Sequence, residues 1–509
     1  MLDPVPLPTN NDAHWPPQHV RSQFRDIEEA EAWWSNDTDR LRRFYTAGVQ
    51  NRTDRPGRRL WERPSAAPGQ PDQRTHVPLA SDIAQTGADL LFSEDPEFTI
   101  PEAHTERPDA NAVAAEARLG ELLELAGVPA LLLEAAELAG GLGGVYLRPT
   151  WDPSIAAHPL MHIVAPDHAI PEWRFGQLVA VTFWQDLSVR DEEGKGRVVW
   201  RHLERHEPGW IYHGLYVGSD TKLGTRQALT RHPDTAALTD EVNLRTLLGW
   251  EWLLPSYVPN VKPNRKHKGL PVGRANCAGS EDLLDALDET WTSWMRDIRV
   301  GKARVIVPDE FLDRGGRGAG AVFDVDREVF TPLNVDPAHL SAAGITPVEF
   351  VIRTEEHAKT AADLTERIIR AAGYSPQSMG MAGQGAQVTA TEVDAREGAS
   401  GRTTMRKQRY FRQPLTSVAS AFLAIDANVF GSGVDPSWVP QVAYPDMGGH
   451  DISAVATSVA MLHQAAAISI ETGVRMAQPE LDDERVAAEV ARIRDEQGIM
   501  VPDPTGGLP

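Results

Sequence analysis

The spacing of apolar residues changes twice along this chain, and those two changes limit its fold more than any single motif does. In the first part the period is helical. Trp33, Trp34, Leu41, Phe44 and Tyr45 lie on one side of a stretch from Arg25 to Ala47. Leu79, Ile83, Leu90 and Leu91 recur at helical spacing, and 110–139 reads as two Ala/Leu-rich helices separated by Gly127–Pro129. From Gly143 to about Gly224 the runs GGVYLRP, HIVAPDHAIPEW, LVAVTFWQDL and VVWRHLERHEPGWIYHGLYVG are β-branched and aromatic, divided by turn residues. Helical spacing then returns. The pattern predicts an α+β chain with helices and mostly antiparallel strands kept apart, and 509 residues call for two to four domains.

The clearest helix starts at Ser280, a residue suited to capping, followed by the acids Glu281 and Asp282. Leu283, Leu284, Leu287, Trp291, Trp294, Met295 and Ile298 form its apolar stripe. Three short strands are expected next, in ARVIVP, AVFDVDREVFTPL and VEFVI, with the glycine-rich turn RGGRGAG between the first two. A second helix spans Thr354 to Ala372, and a third begins at the Thr389/Glu392 capping box and runs to about Phe430, kinked or divided at Pro414. Two further helices, His450 to Met476 and Leu481 to Gln497, complete the chain, while the first 25 residues read as an extended arm.

Between the second and third of these helices lies GYSPQSMGMAGQGAQVTAT, Gly373 to Thr391, without one acid or base in a chain that is 24% charged. A long structureless segment inside a compact fold is usually functional or disordered. Its glycines do not make a nucleotide site: MGMAGQGAQ follows a helix and lacks dinucleotide spacing. RGGRGAGAV in turn lacks the Lys-Ser/Thr ending of a P-loop.

Other chemistry is thin. The single cysteine, Cys277, rules out a disulfide framework and Cys-rich metal sites. The pairs His202/His206 and His158/His162 fall in strand or loop, where structural histidines are the commoner case, and Asp282/Asp285 sit on an amphipathic helix whose default is a solvated face. No nucleophile elbow or zinc-protease motif occurs, so no catalytic residue, cofactor or metal is expected. The proline-rich start has no secretory h-region, and no apolar run reaches 18 residues, so a soluble protein of a reducing compartment is expected. A net charge of −22 argues against tight, sequence-independent nucleic-acid binding. Against that acidity, Arg396, Arg402, Arg406, Lys407, Arg409 and Arg412 make the start of the third helix basic. They either pair with acids elsewhere in the subunit, bridge to a neighbouring subunit, or meet phosphates in passing.

The order helix, small β module, helix, Gly-rich loop, long helix, helical C-terminus resembles the portal proteins of tailed bacteriophages. HVPLASDIAQTGADLLF, LTERIIRAAGYSPQSMG, TATEVDAREGASGRTTMRKQRYFRQPL and AISIETGVRMAQPELDDERVAAEVARI look like those of long-tailed phages of actinobacteria. The resemblance covers roughly 25 to 500 and carries no catalytic signature. It implies a ring of about twelve subunits at one capsid vertex, through which double-stranded DNA is packaged and ejected without tight binding. Residues 1–25 would be an arm, 26–279 with 391–430 the wing, and 280–301 and 354–372 the stem helices. By the same token 302–353 would be the clip, 373–390 the tunnel loop and 431–509 the crown. Ser378, Met379, Gly380, Met381, Gly383, Gln384, Gly385 and Gln387 would then face DNA, and Arg314, Gly315, Gly316, Arg317 and Gly318 would form a docking loop. Implied partners are the terminase large subunit, the head–tail connector or adaptor, and the major capsid and scaffold proteins. No membrane is implied; the site of action is the virion, with assembly in the host cytoplasm. Two other readings stay open: an enzyme with a scattered active site in the 143–224 β region, and a virion adaptor that forms no ring.

Overall fold

The computed structural model describes residues 7–8, 12–47, 59–63, 72–192, 196–300, 304–306, 313–314, 321–322, 346–348, 353–381, 390–445, 452–465, 467–478 and 483–496. The chain is mixed α+β and falls into two compact units, Met1–Tyr444 and Pro445–Pro509.

The first unit begins with α1 (Arg21–Trp34) and α2 (Thr38–Ala47), not one helix from Arg25 to Ala47. The break has a local cause. Asn36 takes the left-handed conformation (φ 56°), and the Asp37 carboxylate then accepts the Asp39 and Arg40 N–H groups at 2.9 and 3.1 Å, starting a new helix. Nor are the described residues ahead of α1 a free arm. Leu7 and Trp15 are buried with Ile170, Leu203, Tyr216 and Leu223, and the Tyr216 hydroxyl donates to the Pro8 carbonyl at 2.8 Å.

Next come α3 (Leu79–Leu91), β1 (Glu97–Thr99), α4 (Ala110–Leu125) and α5 (Val128–Leu142), the last two divided at Gly127 (φ 64°) as the sequence predicts. Two antiparallel sheets follow. β2 (Gly144–Thr150) lies between β3 (Leu160–Val164) and β10 (Ser256–Pro259). The second sheet runs in chain order through β4 (Ala169–Arg174), β5 (Gln177–Glu192), β6 (Gly196–Glu207), β7 (Trp210–Gly218) and β8 (Thr225–Gln227), with β9 (Glu241–Asn243) also on β7. A single helical turn, α6 (Leu244–Leu247), follows β9.

Helix α7 (Glu281–Val300) and α8 (Thr354–Ala372) form an antiparallel hairpin. Leu284 and Leu287 share a core with Ile368 and Ile369 at one end, and Asp297 meets His357 at 3.1 Å at the other. Between them the backbone pairs β11 (Arg304–Ile306) with β14 (Thr346–Val348) and β12 (Asp313–Arg314) with β13 (Ala321–Val322). The third strand thus starts two residues before VEFVI. β12 and β13 flank the glycine-rich turn, whose interior lies outside the described residues.

The long helix α9 (Ala390–Asn428) is undivided, contrary to one of the two outcomes expected at Pro414. Proline there forgoes one backbone hydrogen bond, but it is itself buried in a core where Phe411, Leu415, Val418, Ala419, Phe422 and Leu423 pack with α4, α5 and β2. The unit closes with β15 (Gln441–Ala443) paired to β1, so residues 431–444, which the sequence groups with the C-terminal helices, belong to this unit.

The second unit holds α10 (Ile452–Gln464), α11 (Ile470–Ala477) and α12 (Asp483–Glu496), three helices where two are expected. Ser469 divides the first, its hydroxyl accepting the Thr472 N–H at 3.1 Å as a cap. Val474, Val486 and Val490 are its buried centre.

Candidate functional site

The neutral segment after α8 does not begin as a loop. Gly373 ends α8 in the left-handed conformation (φ 95°), which only glycine adopts at no steric cost, and its carbonyl accepts the Thr403 hydroxyl at 2.6 Å. Tyr374 and Ser375 are buried, and a Cβ on Gly87 of α3 would fall 2.3 Å from the Tyr374 hydroxyl oxygen, so that glycine lets the ring in. Ser375 N–H and the Ser378 hydroxyl both reach Ser400 Oγ, at 2.9 and 2.8 Å. A 3-10 turn over Gln377–Met379 follows, and Met379 and Met381 pack on the core beneath α7 and α8. Of the residues expected to face DNA, Ser378, Met379, Gly380 and Met381 therefore sit in a docked turn, with Gly380 exposed at its end. Gly383, Gln384, Gly385 and Gln387 lie outside the described residues, as do Gly315, Gly316, Arg317 and Gly318, while Arg314 ends β12.

The basic stretch of α9 divides in a way the sequence does not show. Arg396 lies on the helix, and Arg402, Arg406, Arg409 and Arg412 are exposed, as a contact surface would require. Lys407 is not available to any partner: it is only 3% exposed. Its ammonium lies 3.3 Å from Asn276 Oδ1 and 5.5 Å from the centre of the Tyr374 ring. The Tyr374 hydroxyl and Asn276 Nδ2 are buried beside it without hydrogen-bond partners among the described residues. Burial away from water pushes the Lys407 amine down to about 7. The expectation of a surface cation at 407 is overturned because helical periodicity turns this position toward α3 and the Tyr374 turn, while its neighbours face out.

A second group of buried charges holds the base of the α7–α8 hairpin. Asp285, expected on a solvated face, is buried, and Asp288 is 1% exposed. Both receive the segment before α3. Asp285 accepts the Leu60 and Trp61 N–H groups at 2.9 and 3.4 Å. Asp288 accepts Val77 N–H at 2.9 Å and Trp61 Nε1–H at 3.0 Å, and His76 Nδ1 lies 2.8 Å away. Arg63 pairs with Glu289 at 2.7 Å, and the Arg74 guanidinium over the Trp61 ring donates to the Leu60 and Arg63 carbonyls. This strap of residues 59–63 and 72–78 binds α7 through its backbone. Its partners lie about 220 positions away and half of the donors are backbone N–H groups, which no sequence pattern marks. Asp285 and Asp288, three apart on an apolar helix, were the available hint.

The strand histidines form a third polar group. His202 Nε2 and His213 Nδ1 are 3.2 Å apart with rings stacked at 14°. Glu204 accepts from Arg148 at 2.9 Å and lies 2.6 Å from His206 Nε2, while Arg148 also reaches His162 Nδ1 at 2.8 Å. Against the upward push of burial, Arg148 and His206 hold the Glu204 carboxyl well below its usual range. Burial takes His213 down to about 4, so it is neutral at pH 7. His158 makes a local contact, at 2.8 Å to the Pro159 carbonyl. Among the described residues no group of three or more His, Cys, Asp and Glu side chains is placed to hold a metal ion. The Cys277 thiol is raised to about 12, by burial first and Glu281 second, which removes its nucleophilic form at pH 7. Among the described residues no helix is long and apolar enough to cross a membrane.

No protein-family model matches the chain, and no curated protein matches it.

Proposed function

We propose that the chain is the subunit of a portal-type ring, a conduit for double-stranded DNA at a capsid vertex and a platform for the terminase large subunit, the head–tail connector, and capsid and scaffold proteins. The observation that carries this reading is the α7–α8 hairpin. Its base is locked into a core by Leu284, Leu287, Ile368 and Ile369 and strapped by residues 59–63 and 72–78. Its far end is less well covered: Trp291, Trp294 and Met295 are half-buried and Ile298 is 40% exposed. An apolar stripe that outruns its own subunit's cover calls for neighbours, and a ring of hairpins supplies them. Short antiparallel strand pairs stand between the two helices, where a clip would be.

In this reading α7 and α8 are the stem, 302–353 the clip, and the segment from Gly373 the tunnel loop, anchored at its start by Tyr374 and Ser375. Anchoring one end of an uncharged Gly/Gln/Met segment suits a part that must stay close to a moving duplex without gripping it. Each Lys or Arg on a phosphate would add salt-dependent affinity, and ring symmetry would multiply it. The net charge of −22 on every copy repels DNA from most other surfaces.

Light scattering with negative-stain microscopy tests the proposal. A ring of about twelve copies is expected. A protein that stays monomeric or dimeric under assembly conditions, with no ring, would exclude it and leave the adaptor or enzyme readings.

A further inference from the structure

In a chain with 50 basic and 72 acidic side chains, cations that gather without a carboxylate need a reason. The turn from Val261 to Arg274 carries Lys262, Arg265, Lys266, His267 and Lys268. It is a built loop. Val261 and Arg274 bridge antiparallel, Asn260 Nδ2 donates to the Arg274 carbonyl at 2.9 Å, and Asn264 Nδ2 donates to the Gly273 carbonyl at 2.7 Å. Asn264 Oδ1 in turn accepts the Lys266 and His267 N–H groups at 3.1 and 3.2 Å.

The acids near this loop are already engaged. Lys266 meets Asp26, Glu29 and Glu281 at 3.4, 3.3 and 3.6 Å, and His267 meets Asp26 at 2.7 Å. Arg265 and Arg274 make no ion pair or hydrogen bond through their guanidinium groups among the described residues. Both line one cavity of about 130 Å³ whose wall includes Phe24, Tyr146 and Tyr257, and which Asp26 and Glu281 also line, each already paired with Lys266 or His267. Arg406, exposed on α9, is close enough for its charge to act on Arg274. It too is without a carboxylate among the described residues. Burial, then the charges of Arg265 and Arg406, depress the half-buried Arg274 below its ordinary value.

Two guanidinium groups held by one fixed loop repel each other, and an anion between them turns that repulsion into attraction. Guanidinium forks match the paired oxygens of a phosphate group in both shape and charge. We propose that Arg265 and Arg274 form a binding site for a phosphate-class oxyanion. Its source is either a free phosphate or the phosphodiester backbone of nucleic acid. The site stands apart from the ring reading, because it is complete within one subunit.

The full chain is titrated calorimetrically, at one fixed low salt concentration, with inorganic phosphate and separately with a short DNA duplex. Saturable binding of at least one probe is expected. Arg265→Gln and Arg274→Gln should each weaken it about tenfold, while Arg402→Gln, exposed one turn earlier on α9, changes it less than about twofold. Binding of phosphate alone assigns the free anion as the source. Binding of the duplex alone, lost in the same variants, assigns the backbone; either result supports the site. Arg265 is exposed on its loop, so an unchanged unfolding curve for Arg265→Gln keeps the result interpretable. The proposal is overturned if neither probe saturates, or if Arg402→Gln weakens binding as much as the others. It is equally overturned if Arg265→Glu disrupts assembly while no probe binds, which would make the patch a contact between copies. A failure to form rings with phosphate binding intact would count against the portal reading alone.

Discussion

Asp288 and Lys407 are both charged residues on amphipathic helices, and both are almost wholly removed from water, yet their surroundings differ completely. Asp288 on α7 accepts from a backbone N–H and an indole N–H and has His76 at its side. Among the described residues, Lys407 on α9 has three N–H bonds to place, one acceptor at 3.3 Å and an aromatic face, with two further polar groups beside it left without partners. Removing a buried charge that organises its donors strands those donors, whereas removing an unpaired buried charge relieves a cost. The same helix periodicity therefore conceals a structural clamp in one place and a stored strain in the other. The strain sits at the turn from which the neutral segment starts.

The sharpest way to break this comparison is to delete each charge in turn. Asp288→Ala should lower the unfolding free energy by about 4 kcal/mol, because Val77 N–H and Trp61 Nε1–H lose their acceptor. Urea denaturation followed by circular dichroism measures it; a loss under about 1 kcal/mol would show that the strap is held by packing instead. Lys407→Met, which keeps the apolar stem, should raise stability by about 3 kcal/mol in the same experiment. A destabilised Lys407→Met would mean that the amine is paired in solution and the contrast is wrong.

Proton linkage sharpens the contrast further. The Lys407 amine binds its proton less tightly in the folded protein, at about 7, than in the unfolded chain, at 10.5. Between those values the unfolded state holds more protons, so stability should rise with pH, by at most about 1.4 kcal/mol per unit, with the full penalty present below pH 7. Lys407→Met should flatten that slope; a wild-type protein with no rise from pH 7 to 9 would contradict it. A smaller effect belongs to the acid side. His213 is lowered from 6.5 to about 4, so its contribution is present above pH 6.5 and is lost as pH falls toward 4. Replacing His213 with Asn should reduce the loss across that window, seen as a shallower fall of the thermal midpoint. An unchanged pH profile would place the acid sensitivity in other groups.

Much of the architecture is legible in the sequence. The α4/α5 break at Gly127, α8 from Thr354 to Ala372, the antiparallel β region and α7 all follow from periodicity and from glycine and capping chemistry acting over a few residues. The misses share a cause. Asn36 and Ser469 divide helices by local turns weaker than the apolar pattern around them, and β15 joins β1 across more than 300 positions. The candidate site was legible only as a region: the neutral segment and the basic helix were visible, but the anchoring of Ser375 and Ser378 by Ser400 was not.

What the sequence alone determines here is the type and order of elements, because helical and strand periods are local properties set by which face must leave water. It also determines that the segment after Gly373 carries no charge. Only the tertiary structure decides what each charged residue on those faces does. Lys407 and Arg406 are neighbours with the same sign, yet one is enclosed and the other exposed. Asp285 and Asp288 lie on the same helix as Asp282, yet they are buried and bind the backbone of a distant strap, while Asp282 stays exposed and meets only the Arg59 side chain of that strap among the described residues, at 2.8 Å. The reason is that a charge's energy depends on its distance to water and to donors brought from elsewhere in the chain, and neither distance is written in its neighbours.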